Sequence, residues 1–176
     1  MRPKSFWLLS GLLLCSVAGI PAGAQEGATL NLNPIGKSAP IFTAKALDGK
    51  EVSLADYRGK TVLVTFWATG CRVCRRQLPL LAELRKRYAA QGFEVLGIVT
   101  DDAANDQVRR IAARYGVKYP ILRCNSKTAQ AYGGLSYLPA SFYIGRNGKV
   151  ILEAAGVFSK NEIEADIQTT LKLGAN

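Results

Sequence analysis

The chain has 176 residues, a formal charge of +10, four cysteines, a single methionine and no histidine. That length fits one compact domain with its own core. The missing histidine excludes imidazole bases, Ser-His-Asp and Cys-His nucleophile systems, and imidazole metal sites. The positive charge alone is compatible with nucleic acid, anionic lipid or acidic protein partners, or with no more than a solvated surface.

Residues 1–24 read as a secretory signal. Arg2 and Lys4 form a short basic start, and residues 6–20 (FWLLSGLLLCSVAGI) are apolar but short for a membrane span. Pro21 breaks the helix and Ala22-Gly23-Ala24 supplies the small residues a signal peptidase needs. Cleavage after Ala24 is the expectation, with an uncleaved N-terminal anchor as the alternative. Cys15 does not fit a lipidation site, because Leu14 is too bulky for the position before it. Cleavage removes Arg2 and Lys4, which lowers the formal charge from +10 to +8, and also Met1 and Cys15. Export sets nucleic acid aside as a partner. The remaining cysteines, Cys71, Cys74 and Cys124, are too few for a disulfide framework.

Residues 25–38 (QEGATLNLNPIGKS) read as a polar tail leading into a domain over residues 39–176. Residues 41–46 and 51–54, around Asp48-Gly49, predict a small hairpin. The run TVLVTFW at residues 61–67 is β-branched, aromatic and almost wholly apolar, as a strand buried on both faces must be. Cys74, Leu78, Leu81 and Tyr88 then recur at helical spacing, predicting a helix over 71–90 that is kinked at Pro79 and stops near Gly92. Residues 93–100 (FEVLGIVT) predict a second buried strand, parallel to the first with a right-handed crossover.

Val108, Ile111, Ala112 and Tyr115 mark a second amphipathic helix. Residues 119–123 follow, with a short strand after Pro120, and then a short helix around 128–132. Residues 140–144 and 150–155 flank Arg146-Asn147-Gly148, a hairpin signal. A last helix opens on Ser159 and Glu162 in capping-box spacing and turns Ile163, Ile167 and Leu171 inward. The order predicts an α/β fold, a mixed sheet with helices on both faces.

Cys71 and Cys74 fall where a buried strand gives way to a helix, the end of an α/β sheet at which chemistry collects. At that place the unpaired N–H groups and the positive end of the helix dipole stabilise a thiolate, and Arg72, Arg75 and Arg76 push the same way. Cys71 is the expected nucleophile and Cys74 the resolving thiol. No cofactor is required, since the cysteine pair stores the two electrons. The bland reading is a pair of small buried thiols. A zinc site would have two ligands here, Cys124 as a third and no histidine to complete it, so it would need a second chain.

The segments VLVTFWATGCRVCRRQLP and LPASFYIGRNGKV together resemble the thioredoxin fold, and more closely the TlpA and ResA branch of exported thioredoxin-like proteins. The resemblance spans roughly residues 39–173. It implies a central mixed β-sheet flanked by helices, with an N-terminal β-hairpin and an inserted helix (DDAANDQVRRIAARYGVKYPIL) typical of the branch. It makes Cys71 and Cys74 the catalytic pair, Pro79 the helix proline and Pro139 a cis-proline beside the disulfide. Trp67, Gly70, Leu138 and Pro139 would line the substrate site, the Leu138 backbone pairing with an extended substrate segment.

Four positions depart from the family pattern. Gly70 stands where Trp is usual, Val73 where Pro often precedes the second cysteine, Gln77 in place of a common glutamate, and Thr65 in place of a buried aspartate. With Arg72, these residues surround the pair and tune it. Two missing carboxylates would otherwise have raised the thiol pKa values and relayed protons. Family resemblance implies a periplasmic reductant of disulfides in exported proteins, with the haem-attachment cysteines of cytochromes c as candidate substrates and a membrane thiol-disulfide relay as electron donor. Local charge argues for a milder reductant, because a stabilised thiolate makes the couple more oxidising.

The rivals are a disulfide-forming oxidase or isomerase on the same scaffold, a Cu(I)-binding module, and a chaperone-like binder using the Pro139 groove. A peroxiredoxin would need a Thr and Pro arrangement that WATGCRVC lacks. Cys124 is expected to be an inert, half-buried thiol. The clusters Arg85-Lys86-Arg87 and Arg109-Arg110 are expected to be solvated helix faces.

Overall fold

The computed structural model describes residues 36–174. The signal segment, its cleavage site, Cys15 and the tail before Gly36 lie outside the described residues. The hairpin is present as β1 (Thr43–Lys45) and β2 (Glu51–Ser53), paired antiparallel. A 3-10 turn at Leu54–Tyr57, capped by Ser53 and Asp56, leads to β3 (Thr61–Trp67), every residue of which is buried.

Helix α1 (Arg72–Tyr88) runs through the exposed Pro79 as a single element, then tightens into a 3-10 turn at Ala89–Gln91. Gly92 ends it at φ +79°, a left-handed conformation for which glycine is the default residue. The chain returns through β4 (Phe93–Val99), α2 (Asn105–Arg114) and β5 (Ile121–Arg123). Next come α3 (Ser126–Ala131), β6 (Ala140–Ile144), β7 (Val150–Ala155) and α4 (Lys160–Leu173).

The five-stranded sheet has the order β5-β4-β3-β6-β7. β3 lies parallel to β4 from Thr61↔Phe93 to Trp67↔Val99, β4 parallel to β5, and β6 antiparallel to both β3 and β7. Alternation along β3 sends Leu63 and Trp67 into one core, with Leu78, Leu81 and Leu84 of α1, Val108 of α2, and Ile163 and Ile167 of α4. Val62, Val64 and Phe66 enter the other, with Phe42, Leu54, Tyr132 and Phe142. The β1–β2 hairpin covers the outer edge of β5 through the Ala46↔Leu122 bridge and the Leu47 N–H bond to the Ile121 carbonyl.

β5 begins at Ile121, directly after Pro120, as expected, since proline has no N–H to donate to a ladder. Two details differ from expectation for local reasons. α3 starts two residues early because the Asn125 side chain accepts the Thr128 N–H at 2.7 Å, and Tyr132 follows the helix as its C-cap. In α4, Thr170 is fully buried and Leu171 only partly so, the Thr170 hydroxyl donating to the Asp166 carbonyl at 2.7 Å.

Candidate active site

β3 ends at Trp67 and the chain turns through Ala68, Thr69 and Gly70 before α1 begins. Cys71 is the N-cap of α1, with extended backbone (φ −77°, ψ 103°), and its Sγ accepts the Cys74 N–H at 3.2 Å. The two cysteines form a disulfide with Cα atoms 5.3 Å apart. Their environments differ: Cys74 is 1% exposed and belongs to the core, whereas Cys71 is half-buried at its edge. One sulfur can meet another molecule and the other cannot.

The peptide bond Leu138–Pro139 is cis, and the Leu138 carbonyl oxygen lies 3.9 Å from Cys71 Sγ. The Pro139 carbonyl accepts the Gly156 N–H at 2.9 Å, tying this loop to the end of β7. Pro139 is buried, while Leu138 is half-buried and packs against both cores.

Of the other residues singled out in the sequence, Gly70 and Arg72 are exposed and Val73 half-buried, all beside the disulfide in the chain. An added Cβ at Gly70 would meet nothing within 4 Å, so the position is open for want of a side chain. Gln77 is buried in the next turn of α1, at 6% exposure. Thr65 is buried and accepts a hydrogen bond from the Ser141 hydroxyl at 3.1 Å. A neutral hydroxyl pair therefore occupies the place of the family's aspartate.

Trp67 requires a correction. Its side chain is 1% exposed, within the cluster that holds Cys74 and Leu78, because strand alternation turns it under α1. It packs beneath the site and offers a substrate no surface. The indole lies close over Gly97, where an added Cβ would stand 3.3 Å from Trp67 Nε1 and 3.0 Å from the Tyr119 ring.

Asp101, just past β4, is a site residue that the sequence reading missed. Its Oδ2 accepts the Thr69 N–H at 2.5 Å and the Thr69 hydroxyl at 2.8 Å, clamping the turn before Cys71. The available signal was an acid at the carboxyl end of a parallel strand beside the one carrying the cysteines. Lys86 and Arg87 lie exposed on α1 as expected, while Arg85 is half-buried, and both arginines are paired. Arg85 makes a bidentate pair with Glu94 at 2.7 and 2.9 Å, and Arg87 reaches both Glu83 and Glu164. Cys124 is half-buried, and burial pushes its thiol pKa up, against a weaker opposing hydrogen bond from the Ala129 backbone.

Residues 35–152 match the AhpC/TSA family. The chain belongs to it. A thiol-disulfide oxidoreductase ResA of Bacillus thuringiensis subsp. konkukian is 32% identical over 154 residues, covering 87% of this chain and 88% of that one. A ResA of Geobacillus thermodenitrificans is 33% identical over 159 residues, with 90% of each chain covered. A Chlorobium tepidum crystal structure named for the thiol:disulfide interchange protein DsbE superposes with a TM-score of 0.72 at 30% identity, covering 78% of this chain and 98% of that one. This AhpC/TSA member therefore has the thioredoxin fold and is a thiol-disulfide oxidoreductase of ResA type with a Cys71–Cys74 pair. No described helix is long and apolar enough to cross a membrane.

Proposed function

We propose that the protein works outside the cytoplasm as a reductant of disulfides in exported proteins, the haem-attachment cysteines of cytochromes c among the candidates. The observation that carries this reading is the asymmetry of the pair, one sulfur at the surface on a helix N-terminus and the other sealed in the core. In the reduced protein the Cys71 thiolate attacks one sulfur of the substrate disulfide. That S–S bond breaks, the departing thiolate takes a proton from water, and a mixed disulfide remains. Cys74 then loses its proton and attacks Cys71 Sγ, releasing the second substrate thiol, so that two electrons have passed to the substrate.

Gln77 and Thr65 offer no carboxylate to take the Cys74 proton, which leaves water or the departing thiolate as acceptor. A membrane thiol-disulfide relay would restore the dithiol. The N-terminal signal pattern supports export, and the ResA relative and the DsbE-named structure support thiol-disulfide exchange, the reducing direction being what the family resemblance implies. One observation favours the opposite direction: the first turn of α1 contains no acid to oppose its arginines. The deciding test is the reduction potential of the pair, measured in glutathione buffers. A value near about −270 mV is expected, whereas one near about −120 mV would make the protein an oxidase.

A further inference from the structure

We propose that the surface beside Cys71 selects disulfides set in acidic segments that carry a large apolar side chain next to the cysteine. This rests on the exchange reading above and names the substrate class it acts on. Val73, Gln77 and Leu80 of α1 face Val157 and Phe158 of the β7–α4 connection across a cavity of about 190 Å³, with Arg76 on its wall. The lining is mostly apolar and includes Val73, which stands between the two cysteines in the chain, so an apolar side chain beside a substrate cysteine can reach it. Of the four large exposed hydrophobics among the described residues, Val157 lines this cavity and Tyr137 immediately precedes the cis Leu138–Pro139 bond. Val157 is 64% exposed and follows Gly156, and Tyr137 is 52% exposed two residues before Gly156's partner Pro139.

The charge pattern supplies the second half. Arg72 and Arg75 stand in the acid-free first turn of α1 and Arg76 directly follows it, and none of the three forms an ion pair among the described residues. Arg85, Arg87 and Arg109, farther from the disulfide along the chain, are all paired with carboxylates. Arg75 Nε is buried without any hydrogen-bond partner, a donor withdrawn from water with nothing to receive it. The acids that follow β4 are Asp101 and Asp102, and Asp101 is already engaged by Thr69. A substrate carboxylate would give the exposed Arg72 and Arg76 guanidinium groups the charge-assisted partner that the fold withholds.

The test compares reduction rates of short peptides closed by one disulfide, flanked by Glu or by Lys and with Leu or Ser beside the cysteine. Bis(2-hydroxyethyl) disulfide, uncharged and without flanks, is the reference. The Glu–Leu peptide should react about ten-fold faster than the Lys–Leu peptide at low salt. That ratio should fall toward one in about 0.5 M salt and in Arg76→Gln, and Ser in place of Leu should slow the reaction. Equal rates for Glu and Lys peptides, with the reference disulfide still reduced, would overturn the proposal and leave the exchange reading standing. Failure to reduce even the reference disulfide would overturn both.

Discussion

Asp101 holds the turn that delivers Cys71 to the helix, and it does so with one carboxylate oxygen. The other, Oδ1, is buried with no hydrogen-bond partner. Two bonds to a charged acceptor contribute on the order of 2 to 3 kcal/mol, so Asp101→Ala should lower the urea-measured stability by about that amount. Asp101→Asn keeps an acceptor for Thr69 and should recover part of the loss. Equal stability of Asp101→Ala and the parent would mean that the clamp contributes nothing. Thr69 and Asp101 are 32 residues apart in the chain. Their pairing was not legible in the sequence because it depends on the parallel register that sets Trp67 beside Val99.

At the scale of elements, β3 and α1 were legible because their signals are local: an apolar run too continuous to face water, then an i, i+3, i+4 stripe ended by Gly92. What the same residues touch was less so. Trp67 reads equally well as a surface aromatic until strand alternation and the missing side chain of Gly97 lay it under α1. Arg85 reads as solvated until β4 brings Glu94 beneath it. β7 carries a further consequence of packing. Glu153 sits opposite Phe142 with Oε1 buried and unpartnered, and burial pushes its pKa up to about 7.

The folded protein therefore binds this proton more tightly than the unfolded chain does. Its effect is favourable below the unfolded value and is lost as pH rises toward 7. Glu153→Gln should remove that slope, raising the melting temperature relative to the parent at pH 8 and converging with it near pH 4.5. Parallel melting curves for the two proteins across this range would show that Glu153 titrates normally.

Across the whole molecule, two cores on opposite faces of one sheet hold the site between elements far apart in sequence: the end of β3, the start of α1, the loop before β6 and the turn after β7. The fold class was legible because the order of elements admits few topologies. The placement of Leu138 and Pro139 followed from the resemblance, since nothing in their own sequence brings them to Cys71. The first described residues lie at the other pole. The Gly36 N–H bonds the Val150 carbonyl and Ser38 bridges Lys149, where β7 starts, while β7 ends beside Pro139. The polypeptide thus enters the domain at the end of the sheet remote from its sulfurs. Protein coupled to a solid support through the N-terminal side of Gly36 should present its disulfide outward and exchange with a bulky protein disulfide as fast as it does free in solution. A large loss of rate on coupling would place the two at the same pole. One strand thus divides the labour of the domain, its first residues receiving the incoming chain and its last ones bordering the disulfide.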